Sequence, residues 1–124
     1  MVYQIKTLLC VDDEANGLFL RKRVLEKAGY SVFTASSGEE AIKIYESQHI
    51  DAIILDYLMR GMNGLKVAAK LKDLGATIPI IMLSAVSPIL DEALGLADLW
   101  INKTAGSSGD LSRIMAELNS GRAC

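Results

Sequence analysis

The sequence is short of most features that would tie a chain to a special environment. No apolar run approaches the roughly 18 residues that a membrane span requires, so membrane insertion is not expected. There is no basic block and the net charge is −2, which argues against direct binding of nucleic acid. The only cysteines are Cys10 and Cys124. They cannot build a disulfide framework and neither has metal-ligand spacing, so a reduced, cytoplasmic setting fits best. Leu8-Leu9-Cys10 faintly resembles a lipoprotein cleavage site, but the leader would be very short and carry a single Lys; a buried strand is the expectation there. The single histidine, His49, falls in a loop before an apolar run and reads as a surface residue. Tyr3, Tyr30 and Tyr45 read as packing or surface residues, not as a platform for nucleobases.

What is present is core material. Of 124 residues, 51% are hydrophobic, ample for one domain spanning residues 1–124. Four short apolar runs each end in a residue with chemistry to offer. Lys6 to Val11 leads into Asp12-Asp13-Glu14, and Ala52 to Leu55 ends at Asp56. Ile80 to Leu83 ends at Ser84-Ala85, and Leu99 to Ile101 ends at Asn102-Lys103. Runs this brief and this apolar are strands buried on both faces, as in a parallel sheet covered by helices. Amphipathic segments lie between them. Glu14 to Ala28 is expected to be a helix stopped by Gly29. Tyr30 to Ala35 is a further strand. A helix follows from the Ser36-Ser37 caps to about Ser47, and another runs from the Asn63 cap to Gly75. Ser87-Pro88 opens a short helix ending at Gly95, and Asp110 caps a last one. The pattern is β-α repeated five times, in an α/β fold with parallel crossovers.

Parallel neighbours would bring Asp12, Asp13, Asp56, Ser84 and Lys103 to one rim, where open α/β sheets bind their ligands. Each alone has a structural explanation as a cap or turn residue. Together, the carboxylates would repel: two unit charges 4 Å apart cost about 4 kcal/mol at an effective dielectric of 20. A cation among them relieves this, and an all-oxygen donor set with open positions suits Mg²⁺. A carboxylate so placed can attack phosphorus and become an aspartyl phosphate. Mg²⁺ and the Lys103 ammonium would neutralise charge, and the Ser84 hydroxyl would donate to a phosphoryl oxygen.

The ordered motifs LLCVDDE, IILDYLMRGMNG, IMLSA and ADLWINK resemble the response-regulator receiver domain of two-component signalling, of the chemotaxis-regulator type. The resemblance covers roughly Lys6 to Asn119. It implies a flavodoxin-like, doubly wound, five-stranded parallel sheet of order 2-1-3-4-5 with helices on both faces. By the same resemblance, Asp56 is the phosphoacceptor. Asp12, Asp13, Asp56 and the backbone carbonyl of Leu58 hold Mg²⁺, Ser84 and Lys103 contact phosphate, and Trp100 is the switch aromatic. The implied partners are a histidine kinase or phosphotransfer protein and an unknown output protein or domain. The implied role is a phosphoacceptor switch that catalyses its own phosphorylation and dephosphorylation. Leu58 and Val86, both apolar, occupy positions that tune water access in the family, so slow self-dephosphorylation is expected.

The sequence also departs from the family pattern. Arg60 and Thr104 each stand where a Pro is usual, and the segment from Ser84 to Lys103 is about one helical turn short. Two other readings compete with the switch. A phosphohydrolase with an Asp nucleophile would place Asp-x-Asp on its first strand, against the adjacent Asp12-Asp13 here. A constitutive adaptor would not need Asp56, Ser84 and Lys103 together. No output domain is recognisable, which leaves a stand-alone receiver and a domain of a longer protein as alternatives.

Overall fold

Strand β1 (Thr7–Val11) takes the middle of the molecule because its side chains are apolar in both directions, and only Thr7 is not fully buried. The structure, a computed structural model, describes residues 4–57, 59, 63–84, 97–102, 116 and 119, without the side chains of Trp100 and Asn102. Expectations for Leu58, Arg60, Val86, Lys103, Thr104, the helix opening at Ser87-Pro88 and the Asp110 cap lie outside the described residues.

After β1 the chain forms α1 (Ala15–Lys27), β2 (Ser31–Ala35), α2 (Gly38–Ser47), β3 (Ala52–Asp56), α3 (Gly64–Asp73), β4 (Ile80–Ser84) and β5 (Leu99–Asn102). The five strands are parallel and lie in the order β2-β1-β3-β4-β5, as the family resemblance implies. The order reverses between β1 and β3, and this is where a crevice opens at the carboxyl ends of a doubly wound sheet.

Alternate residues of the inner strands feed two apolar layers. On one face Leu9, Val11, Ile53, Leu55, Ile80 and Met82 pack with Ala41 of α2 and Val67, Ala68 and Leu71 of α3. On the other, Leu8, Cys10, Ile54, Ile81 and Leu83 pack with Leu18 and Leu25 of α1. Each fully buried Leu or Ile contributes about 1.5–3 kcal/mol relative to exposure, so the inner strands anchor the rim they end on. Cys10 belongs to this core, and burial, more than the opposing charge of Arg21, pushes its thiol up to about 12.

Helix ends follow the local chemistry. The Ser37 hydroxyl accepts from the Glu40 N–H at 3.1 Å and starts α2. The Asn63 side chain accepts from the Lys66 N–H at 3.0 Å and starts α3. Gly29 ends α1 at φ +104°, a left-handed conformation that side chains disfavour. Ala116 and Asn119 are helical. Asn119 hydrogen-bonds the Ile5 backbone on both sides, accepting from its N–H and donating to its carbonyl at 3.1 Å. The chain is thereby tied near its far end to the entry of β1.

Candidate functional site

Register decides which side chains can meet at the rim. Val11 pairs with Leu55, so the next residue on each strand, Asp12 and Asp56, stand level. Asp56 pairs with Leu83 on its other side, placing Ser84 one step further out. Ser84 in turn pairs with Asn102, the residue before Lys103. The four strand ends read from the sequence are therefore neighbours.

The acidic residues converge. Asp12, Asp13 and Asp56 each offer a carboxylate oxygen, and these oxygens lie within 4.8 Å of one another. Asp12 is 1% exposed, Asp56 5% and Ser84 2%, while Asp13 faces solvent. Two of the carboxylates are thus sunk in the rim and one faces solvent. Hard oxygen donors that are partly sunk and partly open fit a cation such as Mg²⁺, which keeps several positions for water and phosphate. The chain's own geometry thus suits the ion expected from the sequence.

The loop after β3 is held close. The Tyr57 N–H donates to the Leu83 carbonyl at 2.8 Å, and the Gly64 N–H donates to the Tyr57 carbonyl at 2.8 Å. Gly64 is needed at that contact. A Cβ there would fall 2.6 Å from Met82 Sδ and 2.7 Å from the Asp56 carbonyl oxygen. The first residue of α3 therefore lies directly against the strand end that carries Asp56.

One member of the site was not anticipated. Arg21 reads in the sequence as part of the charged stripe of α1, yet it is buried, with Leu18 and Leu25, on the inward face. Its guanidinium forms an ion pair with Asp12 Oδ2. The other oxygen, Oδ1, accepts from the Glu14 N–H at 2.9 Å. Burial alone would raise the Asp12 carboxyl. The Glu14 N–H, the Arg21 guanidinium and a hydrogen bond shared with Asp56 outweigh it and hold Asp12 below its usual 3.8.

Of the other sequence expectations, His49 is a surface residue, with its side chain 83% exposed and Nε2 2.7 Å from Asp51 Oδ1. Tyr45 packs against the core, and the Tyr30 hydroxyl accepts from Asn119 Nδ2 at 3.4 Å. Trp100 lies on β5 opposite Met82.

Comparison with known proteins agrees with this geometry. The family model for the response regulator receiver domain matches residues 8–103. The alkaline phosphatase synthesis transcriptional regulatory protein PhoP of Bacillus subtilis is 41% identical over 101 residues, covering 79% of this chain and 42% of that protein. The probable transcriptional regulator ycf27 of Cyanidium caldarium is 45% identical over 89 residues, 72% of this chain and 35% of that protein. The chain thus spans less than half the length of these curated relatives. The solved structure of response regulator protein TrrA from Thermotoga maritima, in complex with Mg²⁺-BeF, superposes with a TM-score of 0.82. It is 36% identical and covers 92% of this chain and 99% of that one. No described helix is long and apolar enough to cross a membrane.

Proposed function

This chain belongs to the response-regulator receiver family, the phosphoacceptor switch of phosphorelay signalling, and we propose that Asp56 is its phosphoacceptor. The observation that carries the assignment is the convergence of Asp12, Asp13 and Asp56 within 4.8 Å at the switch point of the sheet. An Asp56 carboxylate oxygen attacks the phosphorus of a phosphohistidine on a kinase or phosphotransfer protein. The new O–P bond forms as the P–N bond breaks, and the histidine nitrogen leaves and takes up a proton.

Asp12, Asp13, Asp56 and the Leu58 backbone carbonyl would hold Mg²⁺, which would supply positive charge beside the transferring group. Ser84, at the adjacent strand end, donates its hydroxyl to a phosphoryl oxygen. Lys103, following β5, brings an ammonium to the same place. Phosphorylation adds about −1.5 to −2 charges, drawing Ser84 and Lys103 inward, and Trp100 follows as the switch aromatic. The same site would return the switch: water attacks the phosphorus, the Asp56 O–P bond breaks, and inorganic phosphate leaves with the carboxylate restored.

The partners are a histidine kinase or phosphotransfer protein and an output protein or domain, in the cytoplasm. The curated relatives are transcriptional regulators over a greater length. Here a link to transcription would run through the output partner, not through contact of this segment with DNA. Incubation with acetyl phosphate tests the reading through its metal requirement. Phosphoprotein should accumulate with Mg²⁺ present and not with excess chelator. Equal accumulation in both would remove the metal from the mechanism.

A further inference from the structure

The acidic cluster contains a cation supplied by the chain itself. Arg21 lies on the inward face of α1, 8% exposed, nine residues after the carboxylate it pairs with. A buried guanidinium brings a fixed positive charge and five donors that cannot be deprotonated. The Arg21 pair and the Glu14 N–H at 2.9 Å occupy both oxygens of Asp12.

The surroundings are shaped for this pair. Gly17 sits one turn before Arg21 in α1. A Cβ there would lie 3.5 Å from Arg21 Nη1, 3.6 Å from Asp12 Oδ2 and 3.7 Å from Glu14 Oε1. A methyl group would fit in ordinary contact, whereas a branched side chain would enter the space that the guanidinium and carboxylate share. A side chain larger than a methyl group at this position would therefore crowd the pair.

We propose that Arg21 is a resident counter-cation of the acidic cluster and limits how tightly the site takes up a divalent cation. In the metal-free protein it offsets the charge of Asp12. An incoming Mg²⁺ meets a positive charge already seated on Asp12, and Asp12 must share its oxygens or give up the pair. Metal uptake is weaker for it, and the metal-free site is better tolerated. Arg21 does not touch the reacting phosphorus; it acts through Asp12, as a positioning and charge-setting residue.

The inference rests on the metal site proposed above, and titration calorimetry of the whole chain with Mg²⁺ separates the two. Wild type is compared with Arg21→Met and Arg21→Gln, which remove the charge, and Arg21→Lys, which keeps it; circular dichroism confirms that each variant is folded. The neutral variants should bind Mg²⁺ about tenfold more tightly, equivalent to about 1.4 kcal/mol, and the Lys variant should stay close to wild type. Gln can still hydrogen-bond Asp12, so tightening there assigns the effect to charge and not to contact. Folded neutral variants with unchanged or weaker affinity would overturn the role of Arg21 while leaving the metal site standing. Absence of Mg²⁺ binding in wild type and all variants would overturn both.

Discussion

At the scale of residues, buried charge at the rim is matched within the chain. Asp12 and Asp56 are nearly sealed from water, and Arg21 reaches Asp12 from the neighbouring helix. Removing one partner of a buried ion pair leaves the other in a low-dielectric environment, at about 3–5 kcal/mol. Arg21→Met should therefore lower the stability of the metal-free protein by about that amount. Saturating Mg²⁺ should recover part of the loss, since a ligand bound only by the folded state stabilises it. Urea unfolding with and without Mg²⁺ measures both; a loss that Mg²⁺ leaves untouched would contradict the link to the metal site. The sequence held a signal for this residue. Leu18, Arg21 and Leu25 share a face at helical spacing, but Arg21-Lys22-Arg23 is a run of three cations, and periodicity alone does not say that one of them has a carboxylate waiting inside.

Asp51 shows the same matching at a site with no part in the proposed chemistry. Its Oδ2 accepts from the Lys6 and Thr7 N–H groups at 3.0 and 2.9 Å, stapling the entry of β3 to the start of β1. Burial would raise this carboxyl, but those two N–H groups and His49 outweigh it and hold it below its usual 3.8. A carboxylate with a depressed folded pKa stabilises the fold fully above its unfolded value, and that contribution disappears as pH falls through the folded one. The stability gap between wild type and Asp51→Ala should thus persist at pH above its usual 3.8 and close as pH falls below it. A gap that closes at higher pH would contradict the depressed pKa.

At the scale of elements, strand ends and helix caps were largely legible. The apolar runs ending in Asp12, Asp56 and Ser84 are strands buried on both faces, and Ser37 and Asn63 cap the helices expected of them. Boundaries moved by a residue or two: Ser84 is the last residue of β4 instead of the first beyond it, and α1 begins at Ala15. Gly64 follows the Asn63 cap as the first residue of α3. Its requirement is a close approach between α3 and β3, which only the packed structure displays. Gly64→Ala places a methyl group 2.6 Å from Met82 Sδ and 2.7 Å from the Asp56 carbonyl. The backbone there has little room to yield, so α3 must move. Overpacking of this kind costs about 1–3 kcal/mol, and a denaturant midpoint equal to wild type would show that the contact is looser than described.

At the scale of the whole molecule, five parallel strands in the order β2-β1-β3-β4-β5 explain why residues as distant in sequence as Asp12 and Ser84 share one rim. Hydropathy gave the number and type of the strands. Their order came from the family resemblance, because apolar periodicity carries no record of which buried strand lies beside which. On the proposed function, this rim directs a phosphoryl group to Asp56. The most direct measurement is intact mass after incubation with Mg²⁺ and acetyl phosphate, for wild type and Asp56→Asn. Wild type should gain one phosphoryl group, in an acid-stable, base-labile linkage, and Asp56→Asn none; equal gain in both proteins would contradict the account.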